Sequence, residues 1–161
     1  MSATILGISG SPIQNSNTDR AVREILKHTE LDSEFIKLSD FNVAPCRACL
    51  GCVETNECVV QDDGRELAHR FRAAKAFVLG AFTPYSSLDA RTKTFMERMY
   101  CLRHQTGFNR GKIGVAVISL PPPRRGGWPG PARARCSAVR RHPRIYGRPP
   151  MRPSHPVRAT S

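Results

Sequence analysis

The sequence predicts an α/β domain, in which a parallel β-sheet carries helices on both of its faces. Short apolar segments, three of the four without a charged residue, alternate with segments whose apolar residues recur at helical spacing, in the order β-α-β-loop-α-β-α-β. Alternation of this kind is typical of parallel sheets. Right-handed crossovers between parallel strands place helices on either side, so we expect a three-layer sandwich.

The chain begins with a predicted buried strand and a polar loop. Residues 3–9 are uncharged and mostly apolar, and Gly10-Ser11-Pro12 follows them, which indicates a strand that runs into a turn. The loop of residues 11–18 is small and polar, and Asn17 or Thr18 is the expected N-cap of a helix. The apolar face of this helix comprises Ala21, Val22, Ile25 and Leu26.

Three more strands and two more helices complete the pattern. In chain order we expect a strand at residues 35–38, a cysteine-rich loop at 45–58, a helix opened by Asp62 and Asp63, a strand at 76–82, a helix at about 88–102 and a strand at 113–118. The apolar pattern ends after Leu120. We therefore divide the chain into a domain of residues 1–119 and a tail of residues 120–161.

The tail differs from the domain in composition. Residues 121–161 hold 10 of the 25 Lys and Arg, all of them Arg, with 10 of the 13 prolines and none of the 13 Asp and Glu. Such a segment buries too little apolar surface to fold, so we expect it to be disordered. A GC-rich gene read out of frame would give this composition, which favours a frameshift near codon 120. The alternative is a basic tail for nucleic acid or a membrane, although its stacking aromatics are only Trp128 and Tyr146.

No segment of the sequence predicts export or membrane insertion. The sequence has no apolar run of about 18 residues, and its N-terminus lacks the basic and apolar regions of a signal peptide. We therefore expect a cytoplasmic protein whose six cysteines are reduced thiols or metal ligands rather than disulfides.

The loop after the first strand is a candidate phosphate site. In an open parallel sheet this loop leads into a helix whose free backbone N–H groups and dipole favour an anion. Residues 9–18 contain hydroxyls and amides but no Lys or Arg, and they lack the Gly-x-Gly-x-x-Gly pattern of dinucleotide sites. The loop therefore suits a terminal monophosphate held by neutral donors. The alternative is a polar loop that only caps the helix.

Four cysteines form the second candidate site. Their spacing is C-x2-C-x2-C-x5-C, given by Cys46, Cys49, Cys52 and Cys58. This spacing is closer to the ferredoxin pattern than to the two separated pairs of most zinc sites. We favour a four-iron, four-sulfur cluster with one iron on each thiolate, and zinc or free thiols are the alternatives. Cys101 is expected to be a core or surface thiol.

Together these motifs resemble a known family, the NADPH-dependent FMN reductases of the flavodoxin-like fold. Within that family the four-cysteine loop resembles the loop of the iron–sulfur flavoproteins. The segments that carry the likeness are Gly7-Ile-Ser-Gly-Ser-Pro with Ser16-Asn17-Thr18, Pro45-Cys46 to Cys58, Asp62-Asp63, and Thr83-Pro84-Tyr85 with Lys93-Thr-Phe95-Met-Glu97-Arg98. The resemblance covers residues 1 to about 119 and implies FMN at the carboxyl ends of the first and third strands of a 2-1-3-4-5 sheet.

The resemblance also implies which residues hold the cofactors. The FMN phosphate would be bound by Ser9, Ser11, Ser16, Asn17 and Thr18. The isoalloxazine ring and ribityl chain would be flanked by Thr83, Pro84, Tyr85, Ser86 and Ser87, with Tyr85 over the ring face. The iron–sulfur cluster would be held by the four cysteines of the run. No catalytic acid or base is identified, and His28, His69 and His104 are expected to be solvated.

The sequence departs from the family pattern in three places. Ile13 stands where an arginine is usual, and Pro84 and Tyr85 are adjacent where one residue usually separates them. The tail occupies the place of the fifth strand and the last helix, so we expect a sheet of order 2-1-3-4 without a fifth strand. The strand at 113–118, which has no charge and no proline, would then be an edge that makes the chain marginally stable and promotes self-association.

The resemblance implies an FMN-dependent oxidoreductase that takes electrons from NAD(P)H. The iron–sulfur cluster would relay single electrons between the flavin and a small-molecule or redox-protein acceptor. An electron carrier without substrate turnover and an inactive remnant are the alternatives. We expect a homo-oligomer, with neither a membrane nor a nucleic acid as partner.

Overall fold

A parallel sheet with the strand order β2-β1-β3-β4 forms the centre of the molecule. The computed structural model describes residues 4–105, 107–120 and 137–138. The strands are β1 (Ile5–Ser9), β2 (Ser33–Lys37), β3 (Ala76–Phe82) and β4 (Ile113–Ser119). The helices are α1 (Asn17–Lys27), α2 (Asp63–Ala73) and α3 (Ala90–Arg98). The predicted α/β class and the order 2-1-3-4 are confirmed.

The strand order places a topological switch point at β1. Ile5 of β1 pairs with Ser33 of β2 on one side and with Ala76 of β3 on the other. Helix α1 therefore leads to β2 on one side of β1, and α2 leads to β3 on the other side. At such a point the loops that follow the two diverging strands separate and leave a crevice at the carboxyl edge of the sheet.

The core lies on both faces of the sheet. On one face Val22 and Leu26 of α1 pack with Ile5 and Val78. On the other face α2 and α3 pack against alternate residues of β1, and the buried side chains are Leu6, Ile8, Leu67, Phe71 and Phe95. The rings of Phe71 and Phe95 meet edge to face, with centroids 5.8 Å apart. Burial of each such side chain contributes about 1.5–3 kcal/mol to stability.

The boundaries of the third helix differ from the prediction of about 88–102. Asp89 is the N-cap of α3 because its Oδ1 accepts a hydrogen bond from the Thr92 backbone N–H at 2.9 Å. The helix ends at Arg98 and continues as a 3-10 turn at Met99–Arg103. The three helices have 11, 11 and 9 residues, and none in the described ranges has the length and hydrophobicity needed to cross a bilayer.

The outer edge of β4 differs in part from the prediction, because a fifth strand is present. The two residues of β5 (Ser137–Ala138) pair antiparallel with Ala116 and Val115 of β4. They come from an eleven-residue stretch between Pro131 and Pro143 that contains no proline, so its backbone can donate to a neighbouring strand. The predicted disorder of the rest of the tail, with Cys136, Trp128 and Tyr146, lies outside the described residues.

We predict that β4 still promotes self-association, because in the described residues β5 pairs with two of the seven residues of β4. Ile113 is 52% exposed at the start of β4, so Ile113→Lys places a charge at the edge at little cost to the core. Sedimentation velocity is expected to show less self-association than for the unaltered chain. The matched control is Leu31→Lys, which removes a side chain of similar exposure, 57%, away from β4. An equal effect of both variants would contradict the prediction.

Candidate flavin site and cysteine loop

The loop between β1 and α1 ends in a capping box. The Ser16 hydroxyl accepts a hydrogen bond from the Asp19 backbone N–H at 3.1 Å, and Asp19 Oδ2 accepts one from the Ser16 N–H at 3.3 Å. Among the described residues the backbone N–H groups of Asn17 and Thr18 have no acceptor. The start of α1 therefore presents free donors, at the positive end of the helix dipole, beside an exposed loop.

The predicted phosphate residues fall into two groups. Ser16 and Asn17, at the N-cap and first residue of α1, are half-buried and exposed, and Ser11 lies in the loop at 4% exposure, with its Oγ accepting from the Ile13 N–H at 3.3 Å. Ser9 and Thr18 are buried in internal contacts: the Ser9 hydroxyl donates to Asp19 Oδ1 at 2.5 Å, and the hydroxyls of Thr18 and Ser119 are 2.9 Å apart. The side chains of this second group face the interior, where they fix the base of the loop.

The predicted ring-flanking residues lie in the loop between β3 and α3. Pro84–Ser86 form a 3-10 turn, and Ser86 has a φ of 61°, in the left-handed region. Ser86 and Ser87 are exposed, while Thr83 is half-buried and its N–H donates to Ser119 O at 3.1 Å. The side chain of Tyr85 lies outside the described part of the structure, so its predicted place over the ring stays a prediction.

The two loops meet at Gly10. Its N–H donates to Gly80 O at 2.9 Å, which continues the β1–β3 pairing into the loop. A Cβ on Gly10 would approach both carboxylate oxygens of Asp89 to 2.9 Å and would also overlap the Thr92 hydroxyl. Only glycine fits here, since any side chain would push the first loop away from α3. The sequence therefore folds so that both predicted flavin loops leave the carboxyl edge of the sheet side by side.

The cysteine loop has an unusual backbone. Ala48 and Leu50 have φ values of 52° and 57°, in the left-handed region that L-residues rarely adopt. Cys49 between them does not have a positive φ, so the sign of φ alternates along the loop. Backbone that alternates between right-handed and left-handed residues turns successive N–H groups toward one side, and it is found around phosphate and iron–sulfur sites. Cys46 and Cys49 are exposed, and Cys52 and Cys58 are half-buried. In residues 4–105 and 107–120 no three Cys, His, Asp or Glu side chains lie close enough to hold one metal ion.

The four cysteines all belong to one loop, between Cys46 and Cys58. Burial raises the pKa of Cys52, and the charges of Cys58, Cys46 and Cys49 raise it further. A cation that ligates all four sulfurs would remove this repulsion, so the donor set fits an iron–sulfur cluster or zinc. Cys101 differs, because burial and then the charges of Cys58 and Cys52 raise its pKa to about 11. It is a neutral core thiol.

A buried ion pair holds the entrance and exit of the cysteine loop. The Arg98 side chain is fully buried, and its Nη1 and Nη2 donate to the two Asp62 carboxylate oxygens at 2.6 and 2.7 Å. Arg98 Nη1 also donates to Ala44 O at 2.9 Å, and Asp62 Oδ2 accepts from the Ala44 N–H at 2.8 Å. Asp62 is in addition the N-cap of α2. One pair therefore joins α3, α2 and the residue two positions before Cys46.

Two features near the cysteine loop were not predicted from the sequence. His104, expected to be solvated, is half-buried, with its Nε2 3.4 Å from Cys52 Sγ. Arg98 Nε is buried without an acceptor among the described residues. The spacing of Phe95, Arg98 and Leu102 puts Arg98 on the apolar face of its helix, which was a signal that this charge is buried and needs a partner.

An open cavity of about 530 Å³ lies between the cysteine loop and α3. Its walls are mostly apolar, and the loop side includes Cys46 and Leu50. The opposite wall is formed by α3 and the 3-10 turn, with Met96, Met99 and Tyr100 among its residues. The cysteine loop is thus solvent-accessible on this side.

Comparison with known proteins identifies the family. Residues 3–128 match the family described as NADPH-dependent FMN reductase. The chain belongs to this family. The predicted resemblance is thereby confirmed, and the fold described above is flavodoxin-like.

Individual relatives agree with this assignment. The chain is 32% identical over 126 residues to an iron–sulfur flavoprotein of Methanosarcina thermophila and 36% identical over 117 residues to one of Methanocaldococcus jannaschii. These alignments cover 76% and 70% of this chain, but 65% and 60% of the relatives. The chain therefore spans less than two thirds of their length.

A solved structure supports the fold. An FMN-dependent NADH-azoreductase from Bacillus anthracis, in complex with FMN, superposes with a TM-score of 0.50 at 14% sequence identity. The superposition covers 72% of this chain and 68% of the azoreductase chain. At this identity the likeness concerns the arrangement of strands and helices.

We predict that the Arg98–Asp62 pair makes stability depend on pH in the acid range. The hydrogen bond from Arg98 holds the pKa of Asp62 below its ordinary value, against the opposing effect of burial. The stabilisation is therefore complete above the unfolded-state pKa of about 4 and is lost as the pH falls through the lower folded-state pKa. The urea midpoint of the unaltered chain should fall more steeply with acid than that of Asp62→Asn.

The Asp62→Asn variant is also expected to be less stable at neutral pH by about 3–5 kcal/mol, because a buried guanidinium loses its partner. Asparagine remains a good N-cap for α2. The control is Asp40→Asn, which alters an exposed carboxylate and should leave both the midpoint and its pH dependence unchanged. Parallel acid profiles for the unaltered chain and Asp62→Asn would contradict the role of the pair.

Proposed function

We propose that this protein is an FMN-dependent oxidoreductase that takes electrons from NAD(P)H. One observation carries the proposal: in a chain of the FMN reductase family, the β1–α1 loop and the β3–α3 loop lie in contact at the switch point of the sheet. An electron carrier without turnover is the alternative, and kinetics with NADPH distinguish the two.

In this proposal the chain binds the flavin phosphate without a cationic side chain in the loop. The backbone N–H groups of Asn17 and Thr18 and the hydroxyls of Ser11 and Ser16 are its donors, assisted by the dipole of α1. Thr83 to Ser87 flank the ring and the ribityl chain. FMN, when bound, accepts a hydride and releases electrons singly or in pairs, and the protein contributes binding and orientation.

The four cysteines are proposed to hold a four-iron, four-sulfur cluster that exchanges single electrons with the flavin. The cysteine loop follows β2, and β2 is parallel to and beside β1. Both loops therefore leave the same edge of the sheet, which favours electron exchange between them. Reduced thiols in such a site suit the cytoplasm. We further propose a small-molecule or redox-protein acceptor and a homo-oligomeric assembly.

We predict that Ser11→Ala weakens FMN binding about tenfold, because hydrogen bonds to charged groups contribute about 1.5–3 kcal/mol. Fluorescence titration with FMN measures the affinity, and bleaching of the flavin bands by NADPH tests the enzyme proposal. The control is Ser33→Ala, an exposed serine at the start of β2, which should bind FMN normally. A chain that binds no flavin would overturn the proposed function.

We predict that anaerobically prepared protein contains iron and acid-labile sulfide, and that Cys49→Ser loses both. The reason is that each thiolate of a four-iron cluster ligates one iron, so a missing ligand opens the site. Metal analysis and the visible spectrum are the measurements. Cys101→Ala, which alters a cysteine outside the run, should retain iron and sulfide. Finding zinc without sulfide would show that the cysteines hold a different metal.

A further inference from the structure

Lys37 is buried beneath the β1–α1 loop. It is the last residue of β2, and its side chain is only 5% exposed. Its ammonium group donates to Ser11 O at 2.9 Å, to Ile13 O at 2.9 Å and to Asp19 Oδ2 at 2.7 Å. An ammonium has three N–H donors, so every one of them is used.

The two carbonyl contacts hold the loop in shape. Among the described residues no backbone–backbone hydrogen bond forms within residues 11–15. The contacts that the loop makes by itself are longer, such as 3.3 Å from the Ile13 N–H to Ser11 Oγ. The bonds from Lys37 to Ser11 O and Ile13 O are therefore the shortest that fix this stretch, and they come from a different strand.

Asp19 connects the same group to the rest of the site. Its Oδ1 accepts from the Ser9 hydroxyl, and its Oδ2 accepts from Lys37 and from the Ser16 N–H. Burial opposes ionisation of Asp19, but the hydrogen bonds from Lys37 and Ser9 outweigh it and lower the pKa of the carboxyl. The ion pair is thus charged and locally neutral, so Lys37 contributes little net charge to the surface of the loop.

We propose that Lys37 is a positioning residue for the flavin phosphate. It turns the carbonyl oxygens of Ser11 and Ile13 inward, away from the surface where a phosphate binds, and so removes two acceptors that would repel the anion. The N–H groups at the start of α1 then face the ligand without competition. This inference rests on the proposed binding of FMN and names the residue that prepares the loop for its phosphate.

The test compares FMN with riboflavin, which lacks the phosphate. Lys37→Met keeps the length of the side chain and removes its donors. It should weaken FMN binding about tenfold or more, since several charge-assisted bonds depend on the loop, and leave riboflavin binding unchanged. Lys27→Met is the control, because Lys27 is 71% exposed on α1, and it should bind both flavins as the unaltered chain does.

A second variant allows for misfolding, because Lys37→Met leaves the Asp19 carboxylate buried and unpaired. Lys37→Met/Asp19→Asn removes both charges and should show the same selective loss of FMN in a folded chain, verified by circular dichroism. Equal loss of FMN and riboflavin, or unchanged FMN affinity in either folded variant, would overturn the positioning role. An unaltered chain that binds neither flavin would instead overturn the proposed function, and this inference with it.

Discussion

Two buried ion pairs, Lys37–Asp19 and Arg98–Asp62, hold the bases of the β1–α1 loop and of the cysteine loop. A loop has no ladder partner, so its backbone groups must find hydrogen bonds elsewhere or remain unsatisfied at a cost. In the β1–α1 loop, the ammonium group of Lys37 donates hydrogen bonds to the carbonyl oxygens of Ser11 and Ile13. Before the cysteine loop, Arg98 donates to the carbonyl oxygen of Ala44, and Asp62 accepts from the N–H of the same residue.

The two pairs differ in how completely they are satisfied. Buried ion pairs stabilise a fold only when further hydrogen bonds offset the cost of removing both charges from water. All three donors of Lys37 have acceptors, whereas Arg98 keeps a buried Nε without one in the described residues. The β1–α1 loop is therefore fixed by contacts within the protein, and this would lower the entropy lost if a ligand binds there.

The strands and helices could be predicted from the sequence. Apolar residues recur at helical spacing in the helices and form short continuous runs in the buried strands. The buried charges were not predicted, since Lys37 ends a strand and Arg98 resembles any basic residue near a helix end. The sequence did contain a signal for Asp19 and Arg98. The spacing of Asp19, Val22 and Leu26 places a carboxylate on the apolar face of α1. Arg98 lies in the same way on the apolar face of α3. No periodicity predicts which residue pairs with Asp19, because Lys37 is 18 positions away and reaches it only through the β1–β2 pairing.

The cysteine loop carries costs that the β1–α1 loop does not. Left-handed backbone at Ala48 and Leu50 costs about 1–2 kcal/mol each for L-residues, whereas the one left-handed residue of the β1–α1 loop is Asn15, whose type tolerates it. Burial and the charges of the other three cysteines also raise the pKa of Cys52, which makes it costly to form the thiolate. A metal bound to the thiolates would offset both costs. The pairs Lys37–Asp19 and Arg98–Asp62 share no residue, so the two loops are held by separate interactions.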